Sequence, residues 1–291
     1  MFIYYTLIVI HLLSASSKVI FSRRASLADA KYYTATVLLL FKVLAVAGVV
    51  ISLIGLQSIP TLPTLQNTLA IAVIGVAIPI AWYVQLKIIA AIGANNWVII
   101  NALNMVGVAA IGIVFLGERV ATHYAFGVVL IIFSVFLVST INPDSRHKKP
   151  VAKGLVGAYI LAYFVAIASA LTLEKHTISS MGVYDYLFFG WPAQLAGIII
   201  LKQLFFAKTY KPLPKSLRYN ARMLALCNVV ASAAYVLAVS IGTLSQTVSI
   251  VAGKVIVTFF LAAVFLHETN QLPKRIIAMA MTVAGIAIIA L

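Results

Sequence analysis

Two lysines and a set of carboxamide, hydroxyl and imidazole side chains carry the chemistry of this sequence, and they sit where apolar residues dominate. Lys42 and Lys254 lie about ten residues from the nearer end of their apolar runs, roughly 15 Å deep at 1.5 Å per helical residue. An ionised group at such depth costs about 2.5–3.5 kcal/mol on insertion scales and is a functional hypothesis by default. A lysine stem reaches only about 6 Å toward the headgroups. The acidic residues, Asp29, Glu118, Asp144, Glu174, Asp185 and Glu268, read as loop or span-end positions. With no carboxylate at their depth, the two lysines are expected to hold an anionic group such as a carboxylate or phosphate. The same absence argues against a site that exchanges a cationic drug for protons.

Other polar residues recur at helical spacing, which puts each set on one helix face. Trp97, Asn101 and Asn104 form one such stripe, and Asn228, Ser232 and Tyr235 a second. His11, Ser14 and Lys18 form a third, and Gln246, Lys254 and Thr258 a fourth. The candidate substrate-binding residues are therefore His11, Lys42, Trp97, Asn101, Asn104, Asn228, Tyr235, Gln246, Lys254 and Thr258. Enzyme signatures are missing: there is no His-Glu-x-x-His and no Gly-x-Ser-x-Gly. The five histidines have no metal-ligand spacing, and the single cysteine, Cys227, forms no cluster. Gly253-Lys254 lacks the glycine-rich turn of a phosphate loop. No catalysis, metal or cofactor is expected.

The elements that hold these residues are set by composition. The 291-residue chain is 63% hydrophobic and 9% charged, against about 45–50% and about 25% in soluble domains. Its mean hydropathy is +1.10. The reading is an all-α integral membrane protein of ten transmembrane helices, spanning 2–21, 32–54, 67–91, 96–116, 122–141, 154–174, 184–206, 221–241, 246–266 and 274–291. Pro79 and Pro192 fall inside spans and are tolerated where neighbours re-satisfy the freed carbonyls. The first span lacks the charged leader of a signal peptide and is kept as a mature helix. The net charge of +15 lies in short connections rather than in a patch interleaved with aromatics, so nucleic acid is not an expected partner. Connections after the odd-numbered spans one, five, seven and nine hold sixteen Lys and Arg, and those after two, four, six and eight hold two. By the positive-inside rule both termini face away from the cytoplasm.

The chain also repeats. Val114-Phe115-Leu116-Gly117-Glu118 recurs 150 residues on as Val264-Phe265-Leu266-His267-Glu268, and Ile92-Gly93 recurs 149 residues on as Ile241-Gly242. An offset of five spans, an odd number, inverts the second half in the membrane. Inverted repeats are typical of secondary transporters with a mid-membrane site between the halves. Glu118 and Glu268 read as structural anchors of the repeat, because a carboxylate at a helix C-terminus opposes the helix dipole and calls for a local partner, Arg119 for the first and Lys274 or Arg275 for the second.

Ten spans in two five-span halves, over residues 1–145 and 146–291, each with a Phe-Leu-x-Glu signature, resemble the drug/metabolite transporter superfamily, EamA type. The resemblance covers essentially the whole chain. It implies a two-fold pseudosymmetric bundle, alternating access, and a central cavity lined by helices one, three, four, six, eight and nine. The expected function is secondary transport of a small polar, anionic metabolite. Alternatives within the same fold are a flippase for a lipid-linked substrate and a drug or amino-acid exporter. Expected partners are a small-molecule substrate, the lipid bilayer of a bacterial inner membrane, and coupling protons or a counter-substrate; the oligomeric state is left open.

Overall fold

The computed structural model describes residues 2–55, 60–102, 104, 122–140, 153–207, 210–242, 247, 251, 253–267 and 271–290. In lipid every backbone N–H and C=O must be paired within the chain, and a helix does this locally. The described residues accordingly form helices and no strands. They are α1 (Phe2–Ser26), α2 (Tyr33–Gly55), α3 (Leu65–Ile92), α4 (Ala94–Asn101), α5 (Thr122–Ser139), α6 (Lys153–Met181), α7 (Val183–Leu201), α8 (Lys215–Ile241), α9 (Lys254–Leu266) and α10 (Leu272–Ala290). Six of these, α1, α2, α3, α6, α7 and α8, are long and apolar enough to cross a membrane. Large apolar side chains such as Ile54, Leu69, Phe136, Phe205 and Phe260 are exposed on the outside, as a bundle in lipid requires.

Two helices run past the ends expected from hydropathy. α1 continues to Ser26, taking Arg23 and Arg24 into the helix, and α6 continues past Glu174 to Met181, taking in Lys175. The extensions persist because the charged groups find partners inside the bundle. Arg23 Nη1 donates to Ile89 O at 2.9 Å, and Glu174 accepts from the Tyr186 hydroxyl at 2.7 Å.

The dominant pairings are α1 with α8, α3 with α6, α2 with α7, α5 with α10 and α3 with α7. The α3–α6 pair is antiparallel. At one end Ser180 Oγ donates to Asn67 Oδ1 at 2.8 Å and Gln66 meets His176 at 3.2 Å, and at the other Lys87 Nζ meets Tyr159 OH at 3.4 Å. The α1–α8 pair is also antiparallel, with Tyr4 against Gly242 and Lys18 against Asn228. α5 and α10 are joined by Thr282 Oγ1 donating to the buried Ser134 Oγ at 2.8 Å.

α3 and α7 touch through bare backbone. Pro79 has no N–H to offer the carbonyl four residues earlier, which is that of Gly75. That oxygen faces Gly197 of α7 so closely that a Cβ there would collide with it. A Cα–H···O contact fits this arrangement.

Candidate functional site

A cavity of about 180 Å³ opens between α1, α2, α3, α4, α6, α7, α8 and α9. Helical periodicity decides what reaches it. From α1 come His11 and Lys18, two turns apart on one face; from α8 come Asn228, Ser232 and Tyr235; from α9 comes Lys254 at its first turn. Tyr163, Ile167, Leu171 and Glu174 of α6 also share one face and line the cavity.

The polar groups divide into two walls. On the first, Lys18 Nζ donates to Asn228 Oδ1 at 3.4 Å and lies 4.7 Å from the centre of the Trp82 ring, a cation–π contact with α3. His11 Nδ1 lies 2.8 Å from the carbonyl of Ala231. A carbonyl only accepts, so Nδ1 carries the proton and Nε2 is left without a partner. The imidazole tilts against Tyr235, ring centres 5.6 Å apart. Ser16 Oγ donates to the backbone carbonyl of Lys254 at 3.3 Å, fixing the start of α9 against α1. On the second wall stands Glu174, 5% exposed, with Tyr186 donating to it.

Besides His11 Nε2, three further polar atoms of cavity-lining residues have no hydrogen-bond partner: Asn101 Oδ1, Asn104 Oδ1 and the Tyr235 hydroxyl. Leaving a buried polar atom unpaired costs about 1–3 kcal/mol. Four such atoms around one cavity are what a polar ligand would satisfy.

The structure thus brings together His11, Asn101, Asn104, Asn228, Tyr235 and Lys254 of the expected set. Trp97 is 1% exposed and packs edge-on against Tyr163, ring centres 4.7 Å apart, behind the cavity wall. Thr258 is fully buried one turn beyond Lys254 and does not line the cavity. Gln246, Glu118 and Glu268 lie outside the described residues. Lys42 requires correction: it is exposed on the outer face of α2. Phe41 and Leu44 occupy the inward face and line the cavity in its stead. The expected absence of a carboxylate near Lys254 is also corrected, because Glu174, read as a span-end residue, lines the same cavity as Lys254.

Sequence reasoning missed Glu174 and did not rank Lys18 as a site residue. Both carried a usable signal. Lys18 is seven residues from His11, and Glu174 is three from Leu171 and seven from Ile167, all helical intervals. Gln194 and Trp191 of α7 also line the cavity without any pattern that sets them apart in sequence. Among the described residues no cluster of His, Cys, Asp or Glu is arranged to hold a metal ion.

No family model matches the chain, and no curated protein matches it. Twenty-six chains of solved structures do. One, a crystal structure of a protein, superposes with a TM-score of 0.70 over 99% of this chain and 94% of its own, at 14% identity. That likeness shows the fold alone. It takes in both halves of the chain and every helix that lines the cavity.

Proposed function

We propose that the protein is a secondary transporter of a small anionic metabolite, working by alternating access in the manner of the drug/metabolite transporter superfamily. The observation that carries the reading is that Lys18 of α1 and Lys254 of α9 face one cavity together with a single described carboxylate, Glu174. With both lysines protonated, two ammonium groups against one carboxylate leave the cavity positive, and Tyr186 already occupies part of that carboxylate. A substrate carboxylate or phosphate neutralises the excess, and charge-assisted hydrogen bonds of this kind are stronger than neutral ones.

Two inverted halves are supported by the packing itself. Exchanging α1–α5 with α6–α10 turns the α1–α8 pair into α6–α3 and the α3–α7 pair into α8–α2. The same exchange maps α2–α7, α4–α9 and α5–α10 onto themselves, and every one of these contacts is made. A cavity between two such halves is where a rocking bundle would carry its cargo. Orientation follows the basic connections, with both termini on the non-cytoplasmic side of a bacterial inner membrane.

The test is uptake into proteoliposomes from a panel of organic acids, sugar phosphates, nucleotide sugars and amino acids. The expected result is saturable uptake of an anionic member, reduced in Lys18→Ala and Lys254→Ala. Uptake restricted to cations, or anion uptake unaffected by either substitution, would overturn the reading.

A further inference from the structure

Two basic side chains stand at opposite ends of the cavity and do the same thing. Arg23, near the C-terminal end of α1, donates from Nη1 to the carbonyls of Ile89 at 2.9 Å and Ala90 at 3.3 Å, in the last turn of α3. Lys175, near the C-terminal end of α6, donates from Nζ to the carbonyls of Val239 at 2.8 Å and Gly242 at 3.2 Å, at the end of α8. Carbonyls in the last turn of a helix carry the negative end of its dipole, and each oxygen has two lone pairs, so the Ile89 oxygen, which already accepts from the Gly93 N–H at 3.0 Å, can still take a cation.

The two contacts lie at opposite ends of the bundle. Ile89 and Ala90 are at one end of α3, while its other end, at Gln66 and Asn67, bonds to His176 and Ser180 of α6, immediately beyond Lys175. The full length of α3 therefore separates them. Exchange of the two five-helix sets carries α1 onto α6 and α3 onto α8, and so carries one contact onto the other.

Each contact stands just beyond residues that line the cavity. Glu174 lines the cavity and Lys175 follows it directly; Tyr235 and Val236 line it and Val239 follows within one turn. At the opposite end Arg23 comes five residues after Lys18, and Ile89 seven after Trp82. The seam at the Arg23 end is thicker, and Arg23 is 4% exposed, while Lys175 is half-buried.

We propose that Arg23 and Lys175 are paired latches, one at each end of the cavity, which pin α1 to α3 and α6 to α8 and whose release opens the cavity to one face at a time. The proposal rests on the alternating-access reading. Breaking the Lys175 latch parts the thinner seam, and breaking the Arg23 latch parts the thicker one.

The experiment is thiol labelling in right-side-out and inside-out membrane vesicles. The reporter is Ser232→Cys, in the cavity wall, on a Cys227→Ser background, with a membrane-impermeant maleimide. Labelling of the latched protein is slow from both faces. In Lys175→Met it rises about tenfold from one face only, and in Arg23→Met from the opposite face only. Arg23→Lys, which keeps a cation for the carbonyls, stays near the latched rate. Unchanged rates in both Met variants, or a rise from both faces in either one, overturn the proposal. Should Arg23→Met fail to give monodisperse protein, Lys175→Met and the Arg23→Lys, Lys175→Met double variant decide: no one-face rise in them overturns it. Labelling needs no substrate. Failed uptake with face-specific labelling rejects the cargo reading and keeps the latches; normal uptake with unmoved labelling rejects the latches and keeps the cargo reading.

Discussion

The pairs α1–α8 and α3–α6 cross the molecule in the same antiparallel way and distribute their polar contacts oppositely. Between α1 and α8 the hydrogen bonds run along the middle, from His11 to Ala231 and from Lys18 to Asn228. Between α3 and α6 they sit at the two ends, with Asn67 and Gln66 at one and Lys87 at the other. The middle of that pair is apolar, and Ile74, Ile78 and Ala170 share one core. Polar groups at mid-bundle have no bulk water to fall back on, so they persist only when partnered or used. One pair of helices thus carries chemistry where burial is deepest, and the other keeps its polarity near headgroups and water, where it fastens the helices together.

If that division is right, substitutions in the two pairs should fail in different assays. The largest effect belongs to Lys18→Ala and Lys254→Ala. Loss of a charge-assisted contact worth about 1.5–3 kcal/mol should weaken apparent substrate affinity roughly 10- to 100-fold. The melting temperature of Lys254→Ala in detergent should hold or rise, because an insertion cost disappears, while Lys18→Ala also gives up the contacts with Asn228 and Trp82 and should melt somewhat lower. A lower melting temperature with unchanged affinity would make these lysines structural and erase the contrast. Next comes Glu174→Gln. The amide oxygen can still accept from Tyr186, while a negative charge leaves the cavity, so anion affinity measured by uptake should tighten severalfold. Weaker anion binding would mean that the carboxylate itself meets the cargo.

In the other pair, Asn67→Ala removes the acceptor for Ser180 and should lower stability by about 1 kcal/mol in a thermal melt. Uptake per folded molecule should not move; a loss of uptake at unchanged stability would extend the chemistry into α3–α6. The smallest effect is expected from Lys42→Ala. Its side chain is exposed on the outer face of α2, and both uptake and melting temperature should match the parent protein.

Most helix positions were legible because apolar runs of membrane length are an unambiguous signal. α2, α3 and α8 end within a residue or two of where hydropathy falls. The misreadings share one cause. Charges at the expected span ends, beyond residue 21 in α1 and at Glu174 in α6, stop neither helix, because Asn228, Ile89, Tyr186 and Val239 satisfy Lys18, Arg23, Glu174 and Lys175 from neighbouring helices. Those partners are between 12 and 210 residues away in sequence, and hydropathy along one helix carries no trace of them. Lys42 failed for a related reason. Its depth along α2 was readable, but its direction around the helix was not, since α2 is apolar on nearly every side. His267 shows the opposite case: the residue that takes the place of Gly117 in the second copy of the sequence repeat adopts φ 52°, the left-handed C-terminal conformation where glycine is usual.

The contact of Gly75 with Gly197 has a mechanical meaning. Two backbones that meet with no side chain between them have no rotamers to yield, so α3 cannot slide along α7 without collision and retains mainly the freedom to tilt. The contact is off-centre. Gly75 is ten residues from Leu65 and seventeen from Ile92, giving lever arms of about 15 Å and about 26 Å at 1.5 Å per residue. Any tilt about this fulcrum moves the Ile92 end of α3 more than half again as far as the Leu65 end. A small rotation at the short arm is thereby geared up into a wide displacement at the long one.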